Sequence, residues 1–89
     1  MNSRHSACWI ELDLRSNNVP PNAICDILMQ NNSSDTALHT GVRQKGSSLE
    51  RKIKLAPKTS MSMTVKADNS SKIEIYAEDA AYIRFKVNA

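Results

Sequence analysis

Apolar and polar residues alternate along most of this 89-residue chain. The alternation is clearest in the second half, 49–87, where it restarts after each short polar turn. Successive side chains of a β-strand point to opposite faces, so a period of two gives each strand one apolar and one polar face. A helical period would scatter lysines and arginines among the apolar residues. The pattern therefore predicts half-buried strands and no helix longer than a single turn.

Clusters of turn-forming residues divide this pattern into seven strands. Gly, Pro, Asn, Asp and Ser favour turns, and such clusters recur at intervals of about 8 to 12 residues. Ile53, Ile75 and Phe85 are among the residues expected to face the core. Residues 1–7 are a predicted flexible arm and 8–89 a single domain. The predicted strands are 8–15, 23–30, 37–44, 49–55, 61–67, 72–78 and 81–87.

Seven short strands with this spacing are typical of an all-β sandwich or barrel. We predict a seven-stranded immunoglobulin-like antiparallel β-sandwich, with a small OB-like β-barrel as the alternative. In the sandwich, we expect the last two strands to share a sheet, with the third strand beside them. The first two strands are expected to be neighbours or to face each other across the core.

Composition and charge narrow the expected partners. The chain is 40% apolar but only 4% aromatic, which predicts a modest core of Ile, Leu, Val and Met. The net charge is +3, and the basic residues are concentrated in 36–66. This region attracts acidic partners or is simply a solvated strand face. It contains no aromatic residue for base stacking, so nucleic acid is not an expected partner.

The sequence shows the hydrophobic pattern of neither a membrane span nor a signal peptide. No apolar run approaches the roughly 18 residues of a membrane span, so none is expected. The first residues also lack the apolar centre of a signal peptide.

The two cysteines, Cys8 and Cys25, fall on the apolar side of the first two strands. A disulfide between them would stabilise the fold by roughly 3 kcal/mol and would indicate an oxidising compartment. Two free buried thiols are the alternative, because Cys is often a small core residue. Together with His5 and His39 the cysteines match no zinc module, so we expect no metal site.

Catalytic motifs are missing from the sequence. Asp35 precedes His39 by four residues, but no triad order or oxyanion loop surrounds them. Two glycines are too few for a phosphate-binding loop. We therefore expect a protein without enzyme activity or cofactor. Glycosylation sequons begin at Asn31, Asn32 and Asn69, and such triplets also arise by chance in a chain rich in Asn and Ser.

Partner binding is expected on the polar faces of the strands. Tyr beside Arg is a favourable composition for a contact surface, although it is also ordinary cross-strand packing. Trp9, Tyr76 and Tyr82 are not expected to share a face, which disfavours sugar binding. One sheet is expected to present Arg43, Tyr76, Tyr82, Arg84 and Lys86. The other is expected to present a basic stripe of Lys52, Lys54 and Lys66 beside exposed Trp9, Ile24 and Leu28.

The order of several segments resembles one family of small proteins. The segments are CWIELDLRS, GVRQKGSS, LERKIKLAP, SMSMTVKA, SKIEIYAED and AYIRFKV. In this order they are similar to the periplasmic inhibitors of curli amyloid assembly, the CsgC/CsgH-like family. The C-x-C pair of one branch of that family has no counterpart here. The resemblance implies an immunoglobulin-like sandwich that keeps an amyloid subunit soluble in the periplasm without a cofactor.

The residues and the resemblance together favour a non-enzymatic protein-interaction module in a periplasmic or extracellular setting. Its expected partner is another protein, such as an unfolded or amyloid-forming subunit, bound through a charged β-surface. The alternative is a structural, adhesive or carbohydrate-binding module of a phage or a cell-surface appendage.

Overall fold

The computed structural model describes residues 8–48 and 51–88, and within them it contains seven β-strands and no α-helix. A single 3-10 turn at Arg15–Asn17 follows the first strand. The predicted arm, 1–7, lies outside the described residues. The strands are β1 (Cys8–Asp13), β2 (Ile24–Asn31), β3 (Leu38–Gln44), β4 (Lys52–Leu55), β5 (Ser60–Lys66), β6 (Lys72–Ala77) and β7 (Ile83–Asn88).

The strands form two antiparallel sheets, which confirms the predicted sandwich architecture. One sheet has four strands in the order β1-β6-β3-β4, and the other has three in the order β5-β2-β7. β5 and β2 pack against β3 of the opposite sheet. Two separate open sheets replace the closed barrel of the alternative prediction.

The terminal strands do not pair as the immunoglobulin arrangement requires. In that arrangement the first strand pairs with the second and the last strand with the sixth. Here β1 pairs with β6, and β7 pairs with β2. The expectation that the last two strands share a sheet is therefore wrong. The polar segment before β7 carries the chain across the core instead of folding it back as a hairpin.

The core lies between the two sheets and follows the predicted period of two. In β2, Cys25, Ile27 and Met29 are buried and alternate with more exposed residues. Ile73 and Ile75 of β6 face them from the other sheet and are also buried. The other buried apolar residues are Leu14, Val19, Leu38, Val42, Leu55, Val65, Ala67 and Ile83.

Three apolar residues on the predicted core faces are about half exposed. They are Ile10 at 49%, Met61 at 48% and Phe85 at 45%. Each belongs to a strand at the edge of its sheet. An edge strand has a neighbour on one side only, so its inward side chains are not fully covered. By contrast, Ile75 is buried and Ile53 is half-buried against the core, as predicted.

A buried asparagine organises the loop between β2 and β3. The side-chain amide of Asn31 donates to the carbonyl oxygens of Thr36 (2.8 Å) and Leu55 (3.0 Å). Its side-chain oxygen accepts from the backbone N–H of Ser33 at 2.9 Å. All polar groups of this side chain are engaged within the protein, so the first predicted sequon is a structural element. Asn69, by contrast, lies exposed in the turn before β6.

Candidate interaction surface

A row of residues crosses the outer face of the four-stranded sheet. The strand register places Trp9 opposite Tyr76, Tyr76 opposite Gly41, and Gly41 opposite Lys52. Arg43 lies two residues along β3 on the same face. We use the term aromatic–cation face for Trp9, Arg43, Lys52 and Tyr76. Four different strands contribute one member each, so the sheet register itself assembles this surface.

The four side chains of the aromatic–cation face interlock. The rings of Trp9 and Tyr76 are 5.5 Å apart between centroids and tilted by 52°. The guanidinium carbon of Arg43 lies 4.0 Å from the centroid of Trp9, and the Lys52 ammonium lies 4.2 Å from that of Tyr76. A cation over an aromatic ring contributes about 0.5–1 kcal/mol at an exposed site. These contacts hold two aromatic and two cationic side chains in fixed positions.

Gly41 makes this arrangement possible. A Cβ atom at this position would overlap the backbone carbonyl oxygen of Arg51. Gly41 also lies between Tyr76 and Lys52 in the row, and it presents no side chain there. The Lys52 side chain therefore reaches across β3 to the Tyr76 ring. A glycine within a strand pattern is typical of a bulge or of a close backbone approach, and at Gly41 it is the close approach of Arg51 that leaves no room for a side chain.

Ion pairs neutralise much of the charge on the inner strands of this sheet. Arg43 Nε donates to Glu74 at 2.8 Å, and both side chains are largely buried. Glu11 lies 3.3 Å from both Lys45 and Lys72. Hydrogen bonds from Lys72 and then Lys45 hold the pKa of Glu11 below its ordinary value. The exposed cations of this face are thus concentrated on β4, at the edge of the sheet.

The β4 edge carries Lys52 and Lys54, both exposed. His39 pairs with Lys54 across the β3–β4 ladder. The backbone N–H of His39 donates to Glu78 Oε1 at 2.7 Å, and the Nδ1 atom of the His39 ring lies 3.0 Å from the same oxygen. The backbone N–H of His39 contributes most to the lowered pKa of Glu78. The carboxylate that His39 contacts is thus Glu78, whereas the Asp35 carboxylate accepts a hydrogen bond from the Thr36 hydroxyl.

The predicted partner-binding residues divide between the two sheets in an unexpected way. Arg43, Lys52, Lys54 and Tyr76 share the four-stranded sheet. Trp9 joins them there: its predicted place on the sheet of Lys52 and Lys54 is confirmed, whereas its predicted separation from Arg43 and Tyr76 is wrong. Because β1 pairs with β6, Trp9 and Tyr76 share a face, which the sequence analysis did not expect. The outer side of the three-stranded sheet carries Lys66, Arg84 and Lys86, and Tyr82 precedes β7.

The predicted basic stripe is therefore split. Lys52 and Lys54 lie on β4, whereas Lys66 lies on β5 of the other sheet. The four residues from Ala56 to Thr59 cross between the sheets. The sequence could not distinguish this crossing from a hairpin, because both are made by short polar turns. The pairing of the first strand with the sixth likewise cannot be predicted from the residues of either strand.

Comparison with known proteins gave no match. No family model, curated protein or solved structure is significantly similar to this chain. The assignment of a role therefore rests on the surface itself.

The structure does not support the predicted disulfide. Cys25 is a free buried thiol whose pKa is raised, first by burial and then by the negative charge of Asp26. The strand pairing places Cys8 level with Met29 and not with Cys25. Cys8 pairs with Ala77, and Ala77 pairs with Thr40 in the same sheet. The Thr40 hydroxyl contacts Met29 of the opposite sheet. Cys25 is four residues from Met29 along β2, or about 13 Å. A disulfide requires Cα atoms within roughly 7 Å of each other.

The described residues offer neither a metal-binding cluster nor a membrane-spanning helix. Among residues 8–48 and 51–88, no group of three His, Cys, Asp or Glu side chains could hold a metal ion. His5, one of the residues considered from the sequence, lies outside these ranges. In the same part of the chain no helix is long and apolar enough to cross a membrane.

Proposed function

We propose that this protein is a non-enzymatic interaction module that binds acidic segments of an unfolded or aggregation-prone protein. The binding surface is the aromatic–cation face together with Lys54. In its finer form, the proposal is a β-sandwich inhibitor of amyloid assembly in the periplasm or outside the cell. That finer form depends on the resemblance of the sequence to the curli inhibitors.

The observation that carries the proposal is the preorganised contact between Trp9, Arg43, Tyr76 and Lys52. Trp, Tyr and Arg are enriched among the residues that dominate binding energy at protein interfaces. Here the ring contact and the two cation–π contacts already hold these side chains in place. Binding therefore requires little further loss of side-chain freedom.

The charge distribution favours an acidic partner. Lys52 and Lys54 are both exposed at the sheet edge and place two positive charges there. Exposed cations raise the rate at which an acidic chain encounters the surface. Lysines on a short edge strand also discourage strand addition by other chains. The same two residues can thus attract an acidic client and protect the β4 edge from joining its aggregate.

Fibre-assembly kinetics test the proposal. The lag time of a curli subunit would be followed with an amyloid dye in the presence of the wild-type protein or of its variants. We expect the wild type to lengthen the lag time, and Lys52→Gln/Lys54→Gln to lose most of that effect. Lys66→Gln is the matched control, because it removes an exposed edge lysine from the opposite sheet. Equal inhibition by the wild type and the double variant would reject this binding surface.

Carbohydrate binding is the second candidate, and one observation favours it. Trp9 and Tyr76 lie side by side on one face. However, their rings are tilted against each other and a cation lies over each ring. A sugar needs an open aromatic plane, so it would have to displace Arg43 and Lys52. Binding to immobilised polysaccharides that is abolished by Trp9→Ala would favour this candidate over the first.

A further inference from the structure

A groove lies at one end of the sandwich, between the connection from β1 to β2 and the turn from β5 to β6. Its volume is about 620 Å³, within the range of roughly 300–1,000 Å³ that ligand pockets occupy. Val19, Pro20 and Pro21 form its apolar part. Asn18 and Asn69 add two side-chain amides. A mainly apolar groove with a few polar groups is the usual composition of a binding site.

A buried hydroxyl without a partner lines this groove. Ser71 belongs to the lining and is 1% exposed. Within residues 8–48 and 51–88, its Oγ has no hydrogen-bond partner, whereas its backbone N–H and carbonyl oxygen both have one. A buried polar group that is left unpaired destabilises the fold. Rotation about the Cα–Cβ bond can turn this hydroxyl toward a molecule in the groove, which then supplies the missing partner.

Hydrogen bonds between the two loops fix the walls of the groove. The backbone N–H of Leu14 donates to the carbonyl oxygen of Ser71 at 2.8 Å. The backbone N–H of Asn22 donates to the carbonyl oxygen of Asp68 at 2.9 Å. The two prolines of the lining also have a fixed φ angle. Little conformational freedom is therefore lost when a ligand fills the groove.

The groove favours an uncharged ligand. Arg15 is the charged residue of its lining, and the Arg15 guanidinium lies against the Asp13 carboxylate, with Nη2 2.6 Å from Oδ2. The net charge of this pair is zero, so the groups that remain for a ligand are amides and hydroxyls. A side-chain amide presents a donor and an acceptor side by side. That arrangement matches the N–H and C=O groups of a peptide backbone.

The groove is close enough to the aromatic–cation face for one client chain to reach both. Lys72, which follows Ser71, pairs with Asp13 at the groove end of the sheet. Tyr76 pairs with Trp9 four residues along the same two strands. Four residues of a strand span about 13 Å. An extended client chain covers that distance with about four residues of its own.

We propose that the groove binds an uncharged apolar residue of the client, about four residues from the acidic stretch that the aromatic–cation face binds. This inference rests on the proposed function, because both stretches belong to one client chain. The apolar side chain packs against Val19 and the two prolines, while the adjoining peptide group pairs with Ser71 Oγ. Linking the two contacts raises the affinity for the whole segment above that of either contact alone.

Two blocked peptides test this inference. Both carry four glutamates followed by four serines, and the next residue is leucine in one peptide and serine in the other. Fluorescence anisotropy measures their affinities, and NMR amide shifts locate the site. We expect the leucine peptide to bind about tenfold more tightly and to shift the amides of Asn18, Val19 and 69–71. Shortening the spacer to one serine should abolish this preference, and a preference that persisted would overturn the linkage of the two sites.

Ser71→Gly removes the hydroxyl with little cost to the fold. The φ angle of Ser71 is 61°, which glycine adopts without strain. Urea unfolding should show little change in stability, because relief of strain offsets the greater freedom of glycine in the unfolded chain. We expect the variant to bind the leucine peptide about fivefold more weakly and the serine peptide as before. Asn22→Gly is the matched control, because it changes a residue with φ 62° that does not line the groove.

The lysine variant Lys52→Gln/Lys54→Gln separates the inference from the proposed function. We expect it to weaken both peptides equally, so that the preference for leucine persists. If the lysine variant loses affinity but Ser71→Gly binds the leucine peptide like the wild type, the groove is rejected and the aromatic–cation face stands. If the lysine variant binds like the wild type, the aromatic–cation face is rejected, while a leucine preference that is lost in Ser71→Gly keeps the groove. Shifts of the groove amides by cellobiose, and none by the leucine peptide, would assign the groove to a sugar and overturn the inference.

Discussion

The two lateral sides of the sandwich are closed in different ways. On the β4–β5 side the chain itself crosses between the sheets directly after the buried Leu55, and Met61 just beyond the crossing is 48% exposed. On the β1–β7 side the edges are the first and last strands, and no chain connection joins them. The difference lies in the backbone connection, since inward apolar side chains of the edge strands are half exposed on both sides.

Hydrogen bonds reinforce the closed side. The backbone N–H of Asn31 donates to the carbonyl oxygen of Thr59 at 2.9 Å. The backbone N–H of Lys58 donates to the carbonyl oxygen of Asn31, also at 2.9 Å. The Arg51 guanidinium donates to the Thr64 carbonyl oxygen of β5 at 2.7 Å. Backbone groups at this edge thus have partners within the protein. The backbone of the connection is therefore satisfied within the protein, and what this side offers a binding partner is the exposed lysine side chains of β4.

The largest expected effect contrasts apolar truncations on the two sides. Leu55→Ala removes a side chain that is 4% exposed, and we expect it to lower the free energy of unfolding by about 3 kcal/mol. Ile10→Ala removes a half-exposed side chain, and we expect a loss of about 1 kcal/mol. Urea unfolding measures both values. Equal losses would show that the two sides are equally well covered.

The second-largest expected change in stability concerns the hydrogen bonds of the buried Asn31 side chain. Asn31→Ala leaves the carbonyl oxygens of Thr36 and Leu55 without this donor, and one of the two bonds is fully buried. We expect the free energy of unfolding to fall by about 2 kcal/mol. The control is Asn69→Ala, in an exposed turn, which should change it by less than about 0.5 kcal/mol. If the two variants were equally stable, Asn31 would have no structural role in closing this side.

The smallest effect is at the end of β1, on the open side. Hydrogen bonds from Arg15 lower the pKa of Asp13 to about 2. Because the pKa is lower in the folded protein, this pair stabilises the fold above the unfolded pKa of about 3.9. The contribution is lost as the pH falls through about 2. We expect Arg15→Gln to raise the pKa of Asp13 toward about 4 in an NMR titration.

Arg84→Gln is the control for that titration, because it removes an arginine from the same side without touching Asp13. The pKa of Asp13 should not move in this variant. A low pKa that persisted in Arg15→Gln would mean that groups other than Arg15 hold the carboxylate ionised.

Only part of the candidate surface was predictable. The polar parity of β3, β4 and β6 correctly placed Arg43, Lys52 and Tyr76 on outer faces. The same reasoning wrongly separated Trp9 from Tyr76, because their shared face depends on pairing between strands that are more than sixty residues apart. It also grouped Lys66 with the lysines of β4. Long-range pairing leaves no trace in the local alternation of side chains.

The sequence by itself determined which segments are strands and which face of most strands is apolar. Both properties are local, since they depend on the period of two and on the residues that form turns. Only the tertiary structure decided which strands became neighbours. Of the six connections, one, between β3 and β4, stays within a sheet, and the other five cross the core. Turns of similar composition make both kinds of connection, so the core packing as a whole decides between them.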